Sequence, residues 1–320
     1  MDIVSHQYRN YRSNLISKPE LRELHLLRPW NVIRDTFLHW GIILASWAVI
    51  IIHLSWWTVA ISVVLTATQL YALKIIGHDG FHRRLFNLKR TNDIWADIFI
   101  NAPIGAINRL NRNNHMLHHS NLSLASDPDR RKYDQTGKET RCRYALFLTG
   151  LPNFLPAARN VYSKKASAEK SSKDQSYQLH DILLIGAWQL ALFSGLTYFI
   201  GWWAYIVLWI IPVYLGPYMF NMMRSFAEHS IPGDNDDTGS SSRLITYQSN
   251  WLERQFLSPH NMNLHIEHHL WPGIPYYNLP KANALIKQSE SLDENLVWRT
   301  SYFRYLVDYW NYLSPCSNTP

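Results

Sequence analysis

Cysteine is nearly absent from this chain: Cys142 and Cys316 are the only two in 320 residues, enough for one bridge at most. That excludes a disulfide-built secreted scaffold and a cysteine-rich zinc module, and it leaves any metal chemistry to other ligands. Charge is also scarce, at 17% of residues against 47% hydrophobic and 14% aromatic, too apolar a balance for a disordered chain. The scarcity is local. No Lys or Arg occurs from Asp35 through Leu73 or from Asp174 through Met223, although the chain holds 31 of them and a formal net charge of +7. Basic residues that avoid two long apolar tracts indicate a membrane topology, and no nucleic-acid-binding motif is present.

The first tract contains Phe37–Leu54 and Thr58–Ile76, the second Ile182–Ile200 and Trp203–Met223. Each is long enough to cross the ~30 Å hydrocarbon core at 1.5 Å per residue. Pro212 and Pro217 in the last are kinks that a bundled membrane helix tolerates. The expected architecture is all-α and integral to the membrane, one domain over residues 1–320, with four transmembrane helices as two hairpins. The turns, Ser55–Trp57 and Gly201–Trp202, are flanked by tryptophans suited to an aromatic belt. Four spans put both termini and the segments 77–181 and 224–320 on one side, as a helical cap that the positive-inside rule makes cytosolic. No cleavable signal peptide is evident at the start, so the first span serves as its own insertion signal. Asp93–Leu110 and Tyr144–Tyr162 read as amphipathic interface segments, Lys164–Lys173 as a solvated linker, and Ser291–Glu294 as a capping box opening a helix through Tyr312.

Histidine is abundant instead, with 15 residues. His78 and His82 follow the second span at a spacing of four; His115, His118 and His119 repeat at i, i+3 and i+4, as do His265, His268 and His269; and His229 lies just past the fourth span. On a helix each box presents its nitrogens from one face. These nine imidazoles exceed what one ion can take, which points to two metals, and an all-nitrogen set on a membrane scaffold suggests redox-active iron over zinc. His6, His25, His39, His53 and His180 stand alone and read as structural or exposed. Carboxylates inside or near the boxes, Asp79, Asp127, Asp129, Glu228 and Glu267, are expected to orient the imidazoles, since a ligating histidine usually donates its other N–H to such a group.

The order HxxxH, HxxHH, HxxHH resembles the membrane fatty acid desaturase and hydroxylase superfamily. The phrases Asp127-Pro128-Asp129 and Trp271-Pro272-Gly273-Ile274-Pro275 after the second and third boxes are similar too. The resemblance covers roughly residues 37 to 285. It implies a diiron site held in the cap by the nine histidines, O2 as co-substrate, a lipid-like substrate, and an external electron donor of ferredoxin or cytochrome b5 type. Ser225 stands where acyl-CoA desaturases of this superfamily have an asparagine one turn before the fourth-span histidine; Asn261 and Asn263 are substitutes to consider. The favoured activity is desaturation of a fatty acyl or similar lipid. A carotenoid hydroxylase or ketolase, or a desaturase of a small amino-acid-like metabolite, fits the same boxes. A metal transporter is opposed by boxes lying outside the spans, and a zinc hydrolase would work without O2 or reductant.

Overall fold

The structure, a computed structural model, describes residues 11–152, 176–234, 243–289 and 296–316. The expected linker at 164–173, the capping box at 291–294 and the end of the 144–162 segment lie outside the described residues. In chain order the helices are α1 (Lys18–Leu24), α2 (Pro29–Ile52), α3 (Trp56–Phe81), α4 (Lys89–Ala96), α5 (Asn108–Asn121) and α6 (Arg141–Leu148). They continue as α7 (Leu179–Phe199), α8 (residues 203–220), α9 (Asn221–His229), α10 (Trp251–Phe256), α11 (His265–Leu270), α12 (Leu279–Gln288) and α13 (Tyr302–Tyr312). Four stretches, Lys18–Ile52, Trp56–Phe81, Leu179–Phe199 and Trp203–His229, are long and apolar enough to cross a membrane. The chain divides into two compact units: Met1–Leu27, Asn113–Asn153 and Asn221–Pro320 form the first, Arg28–Arg112 and Phe154–Phe220 the second. Residues 77–112 thus group with the apolar helices.

In the second unit, α2 and α3 run antiparallel, since Ser46 Oγ meets Ser62 Oγ at 2.9 Å and His39 Nδ1 meets Gln69 Oε1 at 2.6 Å. Polar side chains on apolar helices need such partners, because hydrocarbon offers none. α3 begins two residues before the expected span: Ser55 caps it, its hydroxyl accepting from Thr58 N–H while Thr58 Oγ1 accepts from Ser55 N–H. α3 also runs on through the first histidine box to Phe81. The amphipathic 93–110 segment is not one helix: it is broken by a π turn at Asp97–Asn101, Pro103, and Gly105 at φ +77°. α8 carries π turns at Ile206–Ile210 and Tyr214–Phe220, the second holding Pro217, whose missing N–H breaks the ladder and whose carbonyl accepts from Lys74 Nζ.

In the first unit, Ile266, Leu270, Trp271, Ile274, Leu279 and Ile286 form a buried core with residues of α1, Leu122 and Tyr133. Two short strands, β1 (Ile245–Tyr247) and β2 (Val297–Arg299), pair in parallel with Ile245 opposite Val297. No alternation in the sequence announced them; isoleucine, threonine, tyrosine, valine and tryptophan suit the pleat, but three residues are too few for a period. Cys142 and Cys316 form the single disulfide, tying α6 to the segment after α13, where Arg141 N–H also donates to Ser314 O.

Gly216 is where α8 comes closest to α3: a Cβ there would lie 2.1 Å from the Ala67 carbonyl oxygen. Backbones at this distance admit only glycine. Gly216→Ala is expected to cost about 1–3 kcal/mol by overpacking, read as a lowered melting temperature of the detergent-solubilised protein. Gly186→Ala, whose Cβ meets nothing within 4 Å, should leave it unchanged.

Candidate metal centre

The first unit gathers seven histidines from three helices. In α11 the i, i+3, i+4 spacing turns His265, His268 and His269 to one side while Ile266 and Leu270 enter the core. α5 does the same with His115, His118 and His119, and α9 ends on His229. All but His115 are buried. One nitrogen from each of His118, His229 and His269 lies within 4.8 Å of the others, and so it does for His115, His119 and His268. Nε2 atoms pair at 3.0 Å for His115 and His119, 3.1 Å for His119 and His268, and 2.9 Å for His229 and His265. Ligands bound at about 2.0–2.1 Å and near right angles to one another stand about 3 Å apart, so this spacing suits shared ions.

The far sides of the rings are anchored. His118 Nδ1–H donates to Asp127 at 3.0 Å, and Asp127 in turn accepts from Tyr133 OH at 2.5 Å and from Asp129 N–H at 2.8 Å. His229 Nδ1–H donates to Arg243 O at 2.8 Å. Glu228 Oε2 lies 3.4 Å from His265 Nδ1 and also binds Arg224 at 2.6 Å, while Tyr302 OH donates to Glu228 Oε1. The bonds to Asp127 and Arg243 O fix the tautomers of His118 and His229 with their Nε2 lone pairs free, whereas His265 Nδ1 makes no hydrogen bond to Glu228 at its 3.4 Å approach. His269 Nε2 is buried without a hydrogen-bond partner among the described residues, an atom that a metal would satisfy. Burial pushes His268 down to about 3 and His265 and His269 well below the ordinary histidine value, with the Arg224 guanidinium adding to the shift for His265 and His268. At neutral pH these rings are neutral, the form that ligates.

The expected carboxylates divide by what they touch. Asp127 and Glu228 meet imidazoles directly. Glu267 accepts from Thr246 Oγ1 and from Asn283, joining α11 to β1 and α12. Asp129 pairs with Lys132 at 2.7 Å. Asn261 and Asn263 donate their amides to the carbonyls of Tyr276 and Tyr247. Tyr133, Tyr302, Arg243, Thr246 and Asn283 have no spacing signal that marks them, whereas Arg224 stands four residues before Glu228 on α9, the spacing of a helical ion pair.

In the second unit, His78 lies in the last turn of α3 and His82 caps it, their ring centroids 5.4 Å apart, with Asp79 buried between them. The helix end is clasped from outside: Asn92 Nδ2–H donates to Gly80 O, Arg112 to Phe81 O, and Arg83 and Asn108 both reach Asp93. Those donors satisfy carbonyls that a helix C-terminus leaves open. Asp97 accepts Asn108 N–H, and its carboxyl is raised to about 6, by burial above all.

A model of the family described as fatty acid desaturase matches residues 54–302. Curated relatives include the dihydrorhizobitoxine desaturase of Bradyrhizobium elkanii, 27% identical over 290 residues that cover 87% of this chain and 82% of that one. The sn-1 acyl-lipid omega-3 desaturase (ferredoxin) of Nostoc sp. (strain 36) is 26% identical, with 73% and 68% covered. The sn-1 oleoyl-lipid 12-desaturase of Anabaena variabilis is 23% identical, with 92% and 91% covered.

Asp127→Asn keeps the shape but weakens the acceptor for His118 Nδ1–H. A 10- to 100-fold loss of metal affinity is expected, measured by competition with a chelator on the purified protein, with no comparable loss in Asp129→Asn.

Proposed function

From this chain's membership of the fatty acid desaturase family, to which its match over residues 54–302 assigns it, we propose a membrane diiron enzyme that places a double bond in an acyl lipid. That it is an oxidoreductase of the desaturase kind follows from the family and its relatives. The observation that carries the rest is the convergence of buried, neutral imidazoles, two of which, His118 and His229, have their far nitrogens held by Asp127 and Arg243 O. We assign His115, His118, His119, His229, His265, His268 and His269 to two irons, with His78 and His82 completing the set on the family's order of boxes.

When bound, the reduced iron pair would supply O2 activation strong enough to take hydrogen from an unactivated C–H bond. The balance is R–CH2–CH2–R′ plus O2, two electrons and two protons, giving R–CH=CH–R′ and two waters. Asp127 keeps the His118 imidazole oriented, and burial keeps bulk water from the reacting centre. The electrons come from an external carrier; the relative named with ferredoxin supports that type. The acyl-lipid relatives support a lipid substrate, while the dihydrorhizobitoxine relative favours a second reading, a small metabolite as substrate.

His118→Ala and His268→Ala are each expected to abolish product and lower bound iron while the protein still inserts. Lipid and metabolite profiles of an expressing host, with elemental analysis, test this. About two irons per chain and a new unsaturated lipid support the main reading, an altered small metabolite the second, and zinc alone from iron-replete cells overturns both.

The Lys- and Arg-rich side is proposed to be cytosolic, with the four apolar helices as two hairpins. A reducing cytosol opposes the Cys142–Cys316 bond. Trapping thiols by alkylation in intact cells, with mass readout, should therefore find both cysteines reduced. A fully bonded pair would reverse the topology.

A further inference from the structure

The second unit holds a long apolar trough between α2 and α7, of about 580 Å3. Phe37, Trp40, Leu44, Trp47 and Ile51 form one wall, and Trp188, Ala191, Gly195 and Phe199 the other. Both sets repeat at helical spacing, so each is a single continuous face. The floor is buried, with Trp40 and Trp47 at 9% and 8% exposure, whereas the rim residues Phe37, Leu44, Ile51 and Phe199 are half exposed or more. Trp40 stacks on Trp188 at 5.5 Å and spends its indole N–H on Phe99 O, leaving apolar ring faces toward the space. The width comes from small residues: a Cβ on Gly195 would meet nothing within 4 Å.

We propose that this trough binds one acyl chain of a bilayer glycerolipid. The inference rests on the membrane reading of the apolar helices and is independent of the metal centre. Both walls belong to stretches apolar enough to cross a bilayer, so what reaches the open rim there is hydrocarbon. No charged side chain lines the space, so a chain is seated and the headgroup is left to the interface. Size selects between a chain and a helix. The α2 face runs from Phe37 to Ile51, about 21 Å at 1.5 Å per residue, and the whole empty volume, about 1290 Å3, over that length gives a mean cross-section of at most about 61 Å2. A helix about 10 Å across needs roughly 80 Å2. A polymethylene chain about 4–5 Å across at van der Waals contact needs roughly 20 Å2. The length exceeds the ~15 Å hydrocarbon depth of one leaflet, room for an entire chain.

The test uses the full-length protein reconstituted in phosphatidylcholine vesicles doped with phosphatidylcholine spin-labelled near the end of one acyl chain. Electron paramagnetic resonance counts the motionally restricted chains per protein. Gly195→Phe and, on the opposite wall, Ala48→Phe should each remove about one restricted chain, while Gly186→Phe, on α7 away from the trough, should not. Equal counts in wild type and both trough variants, with helicity and melting temperature retained, overturn the proposal. A wild-type dimer that both variants dissolve would assign the trough to a second copy and overturn it as well. If one variant fails to fold, the other decides.

Discussion

Burying an imidazole without satisfying both of its nitrogens is costly, and the first unit buries six of the seven it gathers. In five of the seven, His115, His119, His229, His265 and His268, one nitrogen faces another about 3 Å away, where at most one proton can sit between two atoms. Such a cluster persists as a fixed structure only if the other side of the ring is tied down and the helices beneath it cannot turn. Asp127 and Arg243 O meet the first condition for His118 and His229. The second is met by the core under α11, where Ile266 and Leu270 are fully buried, and by the bond from Glu267 to Thr246 that holds this helix to β1. A rotation of α11 by one residue, about 100°, would take the three histidines off their shared centre and Ile266 and Leu270 out of the core.

The second unit answers the opposite demand. Its long helices carry almost no charge, and several of the polar groups they contain find partners within the unit: Ser46 with Ser62, His39 with Gln69, and Gln189 with both Tyr205 and Pro103 O, while Trp47 Nε1, Thr66 Oγ1 and Thr197 Oγ1 are buried without a hydrogen bond among the described residues. What remains outward is hydrocarbon-like, as the exposure of Leu44, Ile52, Ile61, Leu183 and Leu190 records. In water those side chains would form an aggregation surface; in a bilayer they cost nothing.

The local rules were readable and the distant ones were not. Spans are visible because roughly 20 apolar residues without charge have few other uses, and the boxes are visible because i, i+3, i+4 is a statement about one helix turn. Asp127 is near enough in sequence to His118 to be suspected. Tyr302, by contrast, reaches Glu228 across 74 positions, and Asn92 reaches Gly80 from a helix whose composition is ordinary. Helix ends erred for a related reason. Hydropathy stops α3 at Ile76, but the helix continues to Phe81 because Asn92 and Arg112 supply donors to its last carbonyls, a provision that no window of apolar residues contains. In the 93–110 segment the amphipathic pattern is genuine, yet Pro103 and Gly105 end the helix regardless of periodicity.

The carboxylates under the imidazoles are themselves shared. Asp127 spends lone pairs on Tyr133 OH and Asp129 N–H, and Glu228 on Arg224 and Tyr302 OH. A buried carboxylate bound only to histidine would pull the proton across or lift its own affinity for one, and the tautomer would no longer be fixed. The extra donors fix the orientation of both carboxylates, and with it the acceptor that Asp127 presents to His118 Nδ1–H. His229 is anchored by a neutral carbonyl instead, although it shares a cluster with His118. The two rings therefore differ in donor strength, with His118 the more electron-rich. Through its neighbours, a set of chemically identical side chains becomes a graded one.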